Sequence, residues 1–329
     1  MTNPTTVSID EIIACETLIS QNLMRARGTI SQRQEISIRG VVAPNYQRPQ
    51  EALMVPGEFI SSPISADIYK LIAAEFRDTR PLAITDETIH ESRLFTSNLT
   101  GVNLDRVRIE VVPSHEWDLG DTVEGFHIPV GYTDHMVFAP SVFSSPAELL
   151  VHELGHAAHT TAQRKNNELP FFFTTAISAE FVAHYCQYNY LLSQQTRSHF
   201  INALGQLNTA SFALSIYASQ VFDNFTEFLK TEHAKSITQA LPISVIERTY
   251  WSFCADKPRF YHEALRGIAI VLALWLVDDH EGMKRFIASD RIDRTIEDKL
   301  EHAFPDTDYK KAFECVNEQI YKLLNRFNR

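Results

Sequence analysis

The sequence predicts an α+β fold that is mainly helical, with a small upstream β-sheet. Three observations point there. Glycine is scarce, at 11 of 329 residues; apolar residues recur at spacings of three and four through most of the chain; and strand-like alternation is concentrated between residues 106 and 138. With 44% apolar and 22% charged residues, the chain can bury a sizeable core without covalent staples, which excludes a disordered protein or a disulfide scaffold. Thirty Lys and Arg against 41 Asp and Glu leave a net charge of −11. That balance repels a phosphate backbone, so nucleic acid is not an expected partner. Cys15, Cys186, Cys254 and Cys315 form no close pair, and are expected to be reduced and mostly buried.

In chain order, a first helix is expected from Ser8 to about Arg27, opened by Ser8 with Glu11 three residues on, a reciprocal capping pattern. Residues 35 to 60 mix β-branched pieces with Pro44, Pro49 and Pro56, and a short helix follows from Ser65 to Phe76. Three strand segments come next: Val107 to Val112, Gly125 to Pro129 and His135 to Phe138. Pro129 cannot donate to a ladder, so the segment from Val123 to Pro129 belongs at the sheet edge. From Ser145 onward only helices are expected. The apolar stretch Gly267 to Val277 is about half of the roughly 20 residues a membrane span needs, and reads as a buried helix. No repeat or low-complexity linker divides the chain. The expected organisation is an amino-terminal mixed region, 1–104, followed by a catalytic region, 105–329, with edge sheet 105–140, metal-binding helices 145–195 and helices 196–329. The start, Met-Thr-Asn-Pro-Thr-Thr, lacks a basic segment followed by an apolar run. A cytoplasmic protein is expected, although an effector exported by a signal-less route has the same appearance.

The chemistry is carried by Ser145-Pro-Ala-Glu-Leu-Leu-Val-His152-Glu153-Leu-Gly-His156-Ala-Ala-His159. Ser145 caps, Pro146 takes the first helical position and Glu148 closes a capping box. Positions four apart share a helical face, so His152 and His156 can bind one metal ion, and Glu153 projects beside them as a proton acceptor. A catalytic zinc usually has three protein ligands and an open fourth position. Seven residues separate His159 from His152, about 10 Å along the axis, too far to share the ion. No glycine follows at the spacing that returns a third histidine in metzincins. The expected third ligand is Glu180 on the next helix, 24 residues beyond His156, with Glu168 as the alternative. Asn166 to Pro170 supplies the turn. His184, one turn past Glu180, is either a hydrogen-bond partner that orients a ligand or an ordinary helix histidine.

The run His152-Glu-Leu-Gly-His156-Ala-Ala-His159 followed by Glu180 resembles the thimet oligopeptidase and oligopeptidase F family of zinc peptidases, of the gluzincin type. A weaker match is Pro258-Arg-Phe260-Tyr-His262-Glu-Ala-Leu-Arg-Gly267, leading into Ala273-Leu-Trp275. The resemblance covers roughly residues 105 to 290 and implies a zincin-like fold with an active-site helix and a helical carboxy-terminal half. It also implies one Zn2+ per chain and an oxyanion-stabilising histidine and tyrosines after the second motif. Here the tyrosines expected after His262 are replaced by residues such as Ile268, Leu272 and Leu274. Family members are also near twice this length. The chain is therefore expected to be a metallopeptidase with a shallower or differently covered groove.

The expected mechanism has zinc on His152, His156 and Glu180 lowering the pKa of its water to about 7, with Glu153 as general base. Tyr261, His262, Arg266 and Tyr250, in that order, are the candidates to share the oxyanion's charge. The substrate is a peptide or an extended protein segment that adds as a strand near Val123 to Pro129, with no membrane span involved. Two other readings remain: a non-catalytic zincin-like peptide-binding domain, and an exported effector protease acting on one protein.

Overall fold

A computed structural model describes Asp10 and residues 64–117, 124–166, 176–291 and 294–328. The expected first helix lies outside them apart from Asp10, which is helical, as does the Pro-rich stretch 35–60. In chain order the elements begin with α1 (Ala66–Glu75), β1 (Leu82–Ala83), α2 (Asp86–Thr100), β2 (Arg108–Val112), β3 (Phe126–Ile128), β4 (Met136–Pro140) and β5 (Val142–Phe143). Helices follow: α3 (Pro146–Lys165), α4 (Ala176–Ser193), α5 (Arg197–Ser219), α6 (Phe225–Phe228), α7 (Lys235–Ala240) and α8 (Ile243–Ala255). The last four are α9 (Lys257–Trp275), α10 (His280–Ser289), α11 (Ile296–Ala303) and α12 (Lys311–Leu324). The chain is mainly helical with a small sheet upstream of the long helices, as its composition and periodicity indicate. No helix among the described residues is long and apolar enough to cross a membrane.

The chain divides into two compact units. The first comprises Met1–Ala52, Thr79–Thr174 and His280–Phe304. Its sheet has the order β2-β4-β3, with β2 parallel and β3 antiparallel to β4, so among the described residues β3 is an edge strand, in keeping with Pro129 just after it. All five residues of β4 are buried, which suits a central strand. β1 and β5 pair separately as a short antiparallel ribbon that the alternation pattern does not reveal. Helix α2 is capped by Thr85, whose side chain accepts from the Thr88 N–H, and ends at Gly101 in the left-handed region. Helix α3 buries Leu149, Leu150, Val151, Leu154, Ala157 and Ala158. Its start departs from expectation: Ser145 makes no side-chain cap bond. Backbone geometry alone does not explain this, since Asp256 caps α9 at a ψ of 79° against 77° at Ser145. Pro146 at the first turn still fixes φ for helix entry. Thr295 and Asp298 form the reciprocal capping box at α11.

The second unit comprises Leu53–Asp78, Thr175–Asp279 and Pro305–Arg329. Ser65 caps α1 by accepting from the Ile68 N–H, so the short helix starts where the sequence places it. Helices α4, α5 and α9 form the unit's interior. Phe181, Val182, Leu204, Leu207 and every residue from Ile268 to Leu274 are fully buried. The apolar stretch after Gly267 is thus a core helix. Gly267 lets α9 approach α5: a Cβ there would lie 2.7 Å from Leu214 Cδ1, 3.2 Å from Ala210 Cβ and 3.3 Å from Ala210 C. Leu214 can rotate aside, but the Ala210 backbone cannot. Overpacking of this kind costs about 1–3 kcal/mol against about 1 kcal/mol gained in helix propensity. Gly267→Ala is therefore expected to lose about 1 kcal/mol net; thermal unfolding that shows a raised midpoint would mean that the helices can part freely.

Of the thiols, Cys186 is buried while Cys254 and Cys315 are only half-buried, all three free. The expectation of mostly buried cysteines therefore holds for Cys186 alone among those described.

Candidate metal centre

Helix α3 sets two imidazoles one turn apart on one face. The His152 and His156 rings stand edge to face, centroids 5.0 Å apart at 85°, and both residues are half-buried. Glu153, one residue on, is only 6% exposed. It is fitted against the loop into β3: a Cβ on Gly125 would lie 3.3 Å from Glu153 Cγ, 3.1 Å from Leu149 Cδ1 and 3.3 Å from Phe138 O. Gly125 is what lets the backbone run this close to the helix. Any side chain there would press on the acid whose direction matters most.

Two further histidines join the same unit, and the sequence reading missed both. His127 on β3 stacks on the His156 ring, centroids 6.3 Å apart at 22°, and His135 meets His127 edge-on at 5.4 Å. Alternation in Phe126-His127-Ile128 was the available signal, since it puts the histidine and the stacking partner of Phe138 on opposite faces. Burial, followed by the neighbouring His135, His156 and His159, pushes His127 well below the usual imidazole range. Burial pushes His135 down to about 4. The Val130 N–H donates to His135 Nδ1 at 3.0 Å, and Nε2 finds no hydrogen-bond partner among the described residues.

A consequence for pH follows. Below about 6.5 the unfolded chain takes up a proton that folded His135 refuses until about 4, so stability falls as pH drops through that window. From pH 7 to pH 5, His135 alone is expected to remove about 2 kcal/mol. Urea unfolding at the two pH values measures it. His135→Gln, which cannot titrate, should lose that part of the slope; an unchanged slope would put its origin elsewhere.

His159 lies on the ligand face of α3 but is engaged elsewhere. Its Nε2 is 2.7 Å from Asp290 Oδ2, and Gln163 Nε2 donates to the same oxygen at 2.7 Å. Lys299 Nζ lies 2.5 Å from Asp290 Oδ1. Burial raises the Asp290 carboxyl, but the His159 hydrogen bond and the Lys299 charge outweigh it and hold the group below its ordinary value. His159 is 2% exposed and clamps α3 to Asp290. Asp290 is 131 residues from His159, and nothing in the sequence signals the pairing.

In the second unit Glu180 and His184 sit one turn apart on α4, with His184 Nε2 3.4 Å from Glu180 Oε2. His184 is fully buried, and burial, opposed by Glu180, lowers its pKa. His262 Nε2 lies 4.0 Å from Glu180 Oε1 and is half exposed. Arg266 Nε lies 4.0 Å from Glu180 Oε2. Tyr261 is 38% exposed, and its ring meets Phe260 and Tyr217 edge-on. Tyr250 must be removed from the oxyanion candidates. Its hydroxyl donates to Val221 O at 2.9 Å and accepts from the Asn224 N–H at 3.1 Å, and the residue is fully buried. Glu168, the alternative ligand, lies outside the described residues.

In the first unit His152 and His156 each offer an imidazole nitrogen, and in the second Glu180 offers a carboxylate oxygen, the donor types of a possible metal group among the described residues. Two imidazole nitrogens and a carboxylate oxygen fit zinc, with one tetrahedral place left over. No family model, no curated protein and no solved structure matches this chain.

Proposed function

We propose that the protein is a zinc-dependent endopeptidase or oligopeptidase, with zinc held by His152, His156 and Glu180 and with Glu153 as general base. The observation that carries this is the pair of imidazoles one turn apart on α3, ring centroids 5.0 Å apart, beside a buried acid adjoining one of them. When bound, the ion supplies Lewis acidity toward water and toward a substrate carbonyl. Glu153 accepts the proton of the attacking water and delivers it to the leaving amine. His262 is the preferred donor to the developing oxyanion, since its exposed ring approaches Glu180, whereas Tyr261 is engaged in aromatic packing. Among the described residues β3 pairs with β4 on one side, and an extended peptide that added to this sheet as a strand would expose its own backbone for attack. A zincin-like arrangement and kinship of mechanism with the thimet oligopeptidase and oligopeptidase F family belong to the same proposal.

Purified protein should carry about one zinc per chain and cleave a quenched peptide library, with cleavage removed by a chelator and restored by zinc. Protein that holds zinc and peptide yet cuts nothing is a binding domain, and that result would overturn the peptidase reading.

A further inference from the structure

Around Glu180 the second unit carries a hydrogen-bond chain that the reaction as drawn does not use. His184 Nδ1 and Gln187 Oε1 are 2.7 Å apart. The amide oxygen can only accept, so the imidazole proton sits on Nδ1 and Nε2 keeps its lone pair. That tautomer suits the second contact, in which Arg266 Nε–H donates to His184 Nε2 at 3.2 Å. Glu180 Oε2 is then an acceptor 3.4 Å from another acceptor, an arrangement that repels unless a cation lies alongside. Arg266 is that cation, 4.0 Å from Oε2 and steadied on its far side by Glu263, whose Oε1 is 3.5 Å from Nη1. The other oxygen, Oε1, faces the half-exposed His262 instead.

Building on the reading of Glu180 as a ligand, we propose that Arg266, held by Gln187 and His184, is a positioning residue that engages Oε2 of Glu180 and leaves Oε1 alone to bind the metal. A carboxylate free to turn can offer a metal both oxygens, which fills the place that water or substrate needs. A guanidinium fixed beside one oxygen biases the group toward single-oxygen binding. Lysine is not equivalent, because it lacks the Nε–H that bonds His184 while Nη1 reaches Glu263. Partners of this kind, one step removed from the ion, typically change metal affinity or activity about 10- to 100-fold.

The experiment replaces zinc with Co2+ in the full chain and records the visible spectrum, which is strong for four-coordinate cobalt and weaker as coordination number rises. Arg266→Met is expected to keep about one metal per chain, to weaken the visible bands, and to lower kcat about 10- to 100-fold with KM little changed. Arg266→Lys should fall between the two. Gln187→Leu, which releases His184, supplies the same spectral test should Arg266→Met fail to fold. Spectra identical to wild type in the folded variants would overturn the positioning role. Wild-type protein that takes up neither cobalt nor zinc would instead remove Glu180 as a ligand, a separate failure and one that also ends this proposal.

Discussion

Glu153→Gln is expected to lower turnover of a quenched peptide about a hundred- to ten-thousand-fold while zinc stays at about one per chain. The amide has the volume and shape of the acid, so the fit against Gly125 survives, and with it the direction of the side chain. What it loses is the ability to take a proton. Glu153 follows His152 directly, about 100° around the helix, and so projects beside the imidazole pair while His156 returns to the same face. Metal affinity and catalysis thereby separate onto neighbouring residues of one helix. Two outcomes would sink the assignment. Undiminished turnover with the metal still bound would put the base elsewhere, and loss of zinc in the variant would move Glu153 among the ligands.

How much of this was readable depended on the range over which each contact acts. Local signals worked: Ser65 capped its helix at the expected residue, Pro129 marked an edge strand, and the spacing of His152 and His156 put both rings on one face. Local signals also misled, as at Ser145, which makes no side-chain capping bond. The parallel pairing of β2 with β4 crosses residues 108 to 140 and leaves no periodic mark, since parallel and antiparallel strands alternate alike. His127 and His135 were visible as strand residues, but their stacking toward His156 depends on a sheet packed against a helix. The clamp on His159 joins α3 to Asp290 and Lys299 across more than a hundred positions. Its members are a charged pair in a core, a combination that sequence reading assigns to the surface.

Glu180→Gln is expected to have the opposite signature to Glu153→Gln: zinc is lost first, and turnover falls with it. The substitution keeps the volume and a hydrogen-bonding group but removes the only negative charge of the three ligands, leaving two neutral imidazoles and an amide that binds zinc poorly. Its effect on folding should be modest, since Glu180 is partly exposed and the amide oxygen can still accept from Arg266. Dialysed variant should therefore retain well under one zinc per chain, measured by elemental analysis, and its residual turnover should rise when zinc is added in excess. Undiminished metal content would transfer the third ligand to Glu168 and dissolve the arrangement around Arg266. The two isosteric exchanges thus interrogate one site from opposite sides. Only a chain in which one acid handles the proton and the other holds the ion gives metal without turnover in the first variant, and turnover that follows added metal in the second.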